Sequence, residues 1–278
     1  MLPSFFIMGT QKGGTTSLHT WLQRHPDVFL PAEPQEIHFF DLEENYRRGL
    51  DWYERLFRGA EGHAAVGQTS PLYMYWDGVA ERIARAVPQA RLIFLLRNPT
   101  ERAYSHYWHQ VKRGNESLPF GRAIEQEPDR LRKGAVYKRR YSYLDRGRYA
   151  AQIDRFRALF PPERMLFLKF DELRSERRAV LRRAADFIGV DPERFPEDVF
   201  SAPPENSARL PKSIRLQRLG GAVRDIAPKL GHLIDRVNLQ PARYPRLDQE
   251  TRERLSATFA GERRRLSELT GLSFEEWR

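Results

Sequence analysis

Cysteine is missing from the 278-residue sequence, which excludes a disulfide framework, a thiolate metal centre and a cysteine nucleophile. No apolar run approaches the ~20 residues that cross a bilayer. The start, Met1-Leu2-Pro3-Ser4, carries no basic segment ahead of an apolar one, so no signal-type leader is expected. The expectation is a cytoplasmic chain with no transmembrane segment. Acidic residues are outnumbered, 37 Asp+Glu against 47 Lys+Arg, for a formal net charge of +10. That excess suits an anionic cofactor, substrate or surface, and a solvated basic surface accounts for it equally well. Charge alone also suggests a non-enzymatic nucleic-acid binder, whose binding would be salt-sensitive. Hydrophobic residues at 40% and aromatics at 12% exclude a disordered chain, and no internal repeat or low-complexity tract is present.

What is present begins at once. Phe5-Phe6-Ile7-Met8 is an apolar run that ends in Gly9-Thr10-Gln11-Lys12-Gly13-Gly14-Thr15-Thr16-Ser17, and an amphipathic stretch follows. Strand, glycine-rich turn and helix together aim backbone N–H groups and a helix N-terminus at an anion. Further strands are expected at 64–67, 91–96 and 165–170. Helices are expected at 43–57, 78–87, 100–113, 149–160, 176–188, 214–237 and 248–270, with a polar, basic stretch between 113 and 147. Alternating strands and helices with short connections predict an α/β fold: one domain, 1–278, with a central parallel β-sheet flanked by helices. The composition shifts near residue 195, where a Pro- and Asn-rich loop gives way to helical segments.

The first loop is not a Walker A motif. Gly9 and Gly14 have its spacing, but Thr15 stands at the lysine position and Lys12 lies inside the loop. The apolar run Leu92-Ile93-Phe94-Leu95-Leu96 ends in Arg97, where a nucleoside triphosphatase would carry an Asp for Mg²⁺. Both features disfavour a P-loop kinase, the reading from another enzyme class. Arg97 at a strand end, with Ser105 two helical turns on, forms a second anion site on the sheet edge where open α/β folds bind ligands. Two anion sites without a metal ligand suit a nucleotide phosphorylated at two places, and 3′-phosphoadenosine 5′-phosphosulfate (PAPS) fits that description.

These residues resemble the PAPS-dependent sulfotransferases. Residues 9–18 look like their 5′-phosphosulfate loop, and Leu95-Leu96-Arg97-Asn98-Pro99-Thr100-Glu101-Arg102-Ala103-Tyr104-Ser105 looks like their 3′-phosphate motif. Gln35-Glu36-Ile37-His38-Phe39-Phe40-Asp41, Gly49-Leu50-Asp51-Trp52-Tyr53 and Gly147-Arg148-Tyr149 are similar to the heparan sulfate 3-O- and N-sulfotransferases and their bacterial relatives. The resemblance implies a P-loop-like sulfotransferase fold, with a nucleotide-binding core over about 1–190 and the loop and helices of 195–278 completing the cofactor site.

It further implies that Lys12, Gly13, Gly14, Thr15, Thr16 and Ser17 hold the 5′-phosphosulfate, and Arg97 and Ser105 the 3′-phosphate, with Arg209 or Lys212 touching the same phosphate. Glu36 stands at the position of the catalytic base, with His38 and Asp41 beside it on the acceptor side. The implied reaction is metal-free in-line transfer, releasing 3′-phosphoadenosine 5′-phosphate (PAP). Lys12 neutralises the leaving phosphate, and the acceptor is a small molecule or oligosaccharide. A carbohydrate hydroxyl or amine leads; a polyketide, lipid or phenol is the alternative. His38 remains open as the base if Glu36 only orients it, and Asp41 is equally suited to cap the helix expected at 43–57. Nucleic acid is not expected as a partner, and the sequence is silent on oligomeric state. There are departures from the family. Thr16 replaces an Arg of some 3-O-sulfotransferases, and Gln68 and Thr69 stand where relatives often carry Glu and sometimes Lys. The C-terminal cysteine hairpin of the animal enzymes is replaced by residues 206–213.

Overall fold

The computed structural model describes residues 1–32, 36–201, 209–224, 226–242 and 244–277. In chain order the first elements are β1 (Phe5–Gly9), α1 (Thr15–Gln23), β2 (Val28–Phe29), α2 (Glu43–Tyr46), α3 (Leu50–Glu54), β3 (Ala65–Thr69), α4 (Val79–Ala86) and β4 (Arg91–Leu96). Then come α5 (Pro99–Lys112), α6 (Phe120–Glu125), α7 (Glu127–Leu131), α8 (Ala135–Tyr141), α9 (Tyr149–Arg157), β5 (Met165–Lys169), α10 (Phe170–Ser175), α11 (Arg177–Ile188) and α12 (Asp198–Ser201). The chain closes with β6 (Arg209–Pro211), α13 (Ile214–Arg224), α14 (Pro228–Asn238), β7 (Leu239–Pro241), α15 (Gln249–Thr258) and α16 (Ala260–Thr270).

Contacts divide the chain into two compact units that interleave in sequence. One comprises Met1–Arg97 and Tyr149–Glu205, the other Asn98–Arg148 and Asn206–Arg278. The first unit holds a five-stranded sheet in the order β2-β3-β1-β4-β5, with every pair parallel. β1 is apolar and buried throughout, and β4 is so beyond Arg91, as strands covered on both faces must be. The chain leaves β1 for one side of the sheet and returns to β4 on the other, so the strand order reverses beside β1. That reversal opens a crevice at the carboxyl ends of the strands, where Gly9, Thr69 and Leu96 end β1, β3 and β4. One face of the sheet packs α1 and α11 through Leu18, Trp21, Leu22, Leu181 and Ala185.

The second unit is mainly helical. Its core joins Ala103, Tyr107 and Val111 of α5 to Phe120, Ile124, Tyr143 and Leu255. The Asn98 side chain caps α5 by accepting from the Thr100 N–H at 2.9 Å, with Pro99 in the first turn.

Several sequence expectations are corrected. The helix expected over 43–57 is two short helices, because Gly49 adopts φ 78° between them. Asp41 caps neither: Leu42 is the cap residue of α2 and offers no side-chain bond. The stretch between 113 and 147 contains α6, α7 and α8. The helices expected at 214–237 and 248–270 are each a pair, the first broken ahead of Pro228 and the second at Phe259. β6 pairs antiparallel with β7, a contact far apart in sequence for which three-residue strands give no period to read.

Candidate functional site

The loop after β1 is shaped by contacts that exclude larger residues. Gly14, the N-cap of α1, has φ 94°, and a Cβ there would sit 2.8 Å from the Phe170 ring. At Gly13 a Cβ would lie 2.8 Å from the Thr10 carbonyl oxygen, which accepts the Gly13 N–H at 2.8 Å. Lys12 adopts φ 72°, the sole positive φ at a non-glycine among the described residues. A left-handed lysine costs of order 1–3 kcal/mol and persists only where its surroundings fix it. Here Arg97 does so in part: its Nη1 donates to the Lys12 carbonyl oxygen at 2.9 Å, while its guanidinium lies 4.6 Å from the centroid of Phe170. The Arg97 carbonyl oxygen in turn accepts from the buried Tyr149 hydroxyl at 2.8 Å.

The mouth of α1 is therefore a donor array. No side chain caps it and its first turn holds no acid, so the N–H groups of Thr15, Thr16 and Ser17 stand at a helix N-terminus beside two cations. This donor set fits a phosphate or sulfate ester. Lys12 and Thr16 are half-buried, and Thr15 and Ser17 are buried.

Glu36, His38 and Asp41 belong to the same unit and are brought together. Glu36 forms an isolated parallel bridge with Thr69, so its backbone joins the sheet at the carboxyl end of β3. Its half-exposed carboxylate lies 3.7 Å from His38 Nε2, an ion-pair distance longer than a hydrogen bond. His38 Nδ1 lies 3.1 Å from Asp41 Oδ2, and the Asp41 side chain is 0% exposed. A carboxylate only accepts, so Asp41 fixes the proton of His38 on Nδ1 and turns Nε2 toward Glu36. The outcome is a row of three groups, with the buried acid at one end and the half-exposed acid at the other.

Tyr73, which the sequence did not single out, and Gln68, marked there only as a departure from the family, hold this row in place. The Tyr73 hydroxyl donates to the Ile37 carbonyl oxygen at 2.7 Å and accepts from the N–H groups of Phe39 and Phe40 at 3.1 and 3.2 Å. Gln68, wholly buried, donates to Tyr73 Oη at 2.7 Å and to the Ile37 carbonyl, and accepts from Tyr53. Burial pushes the phenols of Tyr53 and Tyr73 well above their ordinary range, so both are neutral donors. Gln68 therefore lies beneath the 37–40 backbone as a structural amide. Arg155 of α9 holds the turn that follows, donating to the carbonyls of Met74 and Tyr75 at 3.0 and 2.9 Å.

Thr69 links the row to the loop helix. Its Oγ1 lies 2.8 Å from Nδ1 of His19 on α1, whose pKa burial lowers to about 4. His19 also bonds the Pro31 backbone, and proline offers only a carbonyl. The neutral ring therefore donates to Pro31 through Nε2 and accepts the Thr69 hydroxyl at Nδ1. Gln68 lies within β3 and Tyr73 just past it, next to Ser70-Pro71, which was their one legible signal; His19 gave none.

Ser105, Arg209 and Lys212 belong to the second unit. Ser105 is buried on α5. Arg209 Nη2 donates to the Leu239 carbonyl and Lys212 Nζ to that of Val237, both at 3.2 Å, bracing the β6–β7 pair. The aromatic cluster of Tyr104, Tyr107 and Trp108 packs with Phe120 in that unit's core.

Comparison with known proteins adds four findings. The profile of the sulfotransferase domain matches residues 2–202. The human bifunctional heparan sulfate N-deacetylase/N-sulfotransferase 3 is 34% identical over 205 residues, covering 69% of this chain and 23% of that protein. Heparan sulfate glucosamine 3-O-sulfotransferase 5 of mouse is 29% identical over 194 residues, covering 69% of this chain and 54% of its own. The chain thus spans about a quarter of the length of the N-sulfotransferase relative and about half that of the other. Among solved structures, a sulfotransferase from Alicyclobacillus acidocaldarius superposes with a TM-score of 0.76 at 28% identity, over 100% of this chain and 99% of that one.

Proposed function

The chain belongs to the sulfotransferase family, and from that premise we propose that it moves the sulfuryl group of PAPS to a carbohydrate hydroxyl or amine by metal-free in-line transfer. The observation that carries this reading is the convergence on one sheet edge. The uncapped mouth of α1 with Lys12 and Arg97 lies at the ends of β1 and β4, and Glu36 joins the end of β3. Lys12 and the N–H groups of 15–17 hold the phosphosulfate, and Lys12 meets the charge that grows on the bridging oxygen as the S–O bond breaks. Arg97 takes the 3′-phosphate. The part of Ser105, Arg209 and Lys212 in holding that phosphate rests on the resemblance alone, and single substitutions read by PAP affinity test it.

On the acceptor side Glu36 is the base. The acceptor oxygen or nitrogen forms a bond to sulfur, the bond from sulfur to the phosphate oxygen breaks, and the acceptor proton passes to Glu36. His38, held by Asp41 through Nδ1, stands beside Glu36 and positions it. The heparan sulfate relatives supply the reason to favour a carbohydrate acceptor.

The test is transfer of labelled sulfate from PAPS to a panel of amino sugars, uronic-acid oligosaccharides, long-chain alcohols and phenols, with mass spectrometry of the product. Transfer that persists in EDTA is expected; Mg²⁺-dependent phosphate transfer from ATP would replace this reading with a kinase.

A further inference from the structure

The helical pair α13–α14 carries an apolar face that the fold leaves in solvent. On α13, Gln217 donates to the Lys112 carbonyl at 2.6 Å, and a Cβ on Gly221 would lie 2.7 Å from the Arg113 carbonyl oxygen. These residues mark the side of α13 turned toward α5. Gly220 meets Ile234, and Gln217 accepts from Asn238 at 2.9 Å, so these mark the seam with α14. At about 100° per residue, Leu219 turns away from both contacts and Leu216 lies beside the seam. On α14, Leu230, Leu233 and Val237 follow i, i+3, i+7 spacing beside the seam. Gln217 meets Asn238 while Gly220 meets Ile234, so the two helices run antiparallel and the two stripes fall on the same side. Leu219 is 55% exposed, Leu233 54%, Val237 58%, and Ile226 in the connection 87%.

Among the described side chains the rim of this face has one sign. Arg215 and Arg218 flank Leu219 on the outer side of α13, and Lys229 and Arg236 flank Leu233 on the outer side of α14. Among the described side chains of the pair the one acid, Asp235, is turned inward and accepts from Gln217 at 2.6 Å. Apolar side chains bordered by long cations form an interfacial pattern: the leucines enter the acyl boundary while Arg and Lys extend back to the head groups. A second copy would be a poorer occupant, because pairing two such faces sets cations against cations.

We infer that α13–α14 docks on an anionic lipid surface, laying Leu219, Ile226, Leu230 and Leu233 into it and engaging its phosphates with Arg215, Arg218, Lys229 and Arg236. The pair lies flat on the membrane, since no helix among the described residues is long and apolar enough to cross one. The probe is the full chain mixed with vesicles of phosphatidylcholine containing or lacking phosphatidylglycerol, read by flotation. Binding to the phosphatidylglycerol vesicles is expected, weakening as salt rises from 50 to 500 mM. Leu219→Glu with Leu233→Glu should lower it about tenfold or more. Arg215→Gln with Arg236→Gln should flatten its salt dependence. Unchanged melting temperature and PAP affinity in the variants would show that folding and the sulfuryl site are intact. No binding to phosphatidylglycerol vesicles, or binding indifferent to the Glu pair, overturns the inference. So does a dimer in sedimentation that the Glu pair dissociates.

Discussion

The two units bury polar side chains for different ends. In the first, Gln68, Thr69, Tyr73, His19 and Tyr149 converge on the carboxyl edge of the sheet and hold the chain segments that carry Glu36, Lys12 and Arg97. In the second, Glu127 accepts from the N–H groups of Leu144 and Asp145, both at 2.7 Å. Glu116 accepts from those of Ser117 and Leu118, and pairs with Arg130. The difference follows from the backbone. A parallel sheet satisfies its own N–H and C=O groups, which leaves side chains at its strand ends for positioning. Helices of five to seven residues, such as α6, α7 and α8, have more ends than middle, and in this unit buried carboxylates satisfy exposed ends of the chain.

The comparison predicts effects of graded size. The largest belong to the sheet edge. Glu36→Gln should lower kcat by about 10²–10⁴-fold while leaving PAP affinity near wild type by calorimetry. Equal activity would remove Glu36 as the base and hand the role to His38. Next, Gly14→Ala must place a Cβ on a left-handed backbone against Phe170, and should weaken PAP binding about tenfold or more. Tyr73→Phe should lower stability by roughly 1–3 kcal/mol, because the N–H groups of Phe39 and Phe40 lose their acceptor. It should also lower kcat more than it raises KM, and a variant that melts early with kcat intact would make Tyr73 structural only.

The smallest effects, and the ones that set the units most directly against each other, are in pH. Burial lowers His19 from 6.5 to about 4, so between those values the unfolded chain binds more protons and stability is lost as pH falls from about 6.5 to 4. Burial raises Glu127 from 4.5 to about 7 despite its two N–H bonds, so the folded chain binds more protons and stability is lost as pH rises from 4.5 to about 7. Each is on the order of 3 kcal/mol at the end of its window. Thermal melts across pH 4–8 should lose the acid limb in His19→Gln and the neutral-side limb in Glu127→Gln. Unchanged profiles would mean that both groups titrate alike folded and unfolded.

The sequence by itself determined the sheet strands β1, β4 and β5, the glycine loop, Arg97 at its strand end and the segment that carries Glu36. These are consequences of local rules: apolar runs bounded by turns form buried strands, and glycine beside lysine and hydroxyls at a helix start cradles anions. Tertiary structure alone decided what Asp41 does, because its buried carboxylate turns back to His38 and caps no helix. It alone joined Glu36 to Thr69 and Thr69 to His19, and placed Tyr73 under the 37–40 backbone. It also broke the long helical patterns, at Gly49 and ahead of Pro228, and closed β6 on β7. The reason is range. Periodicity reports which face of an element is buried, but not which distant residue it is buried against, and that pairing is what turns a list of acids, histidines and tyrosines into an ordered site.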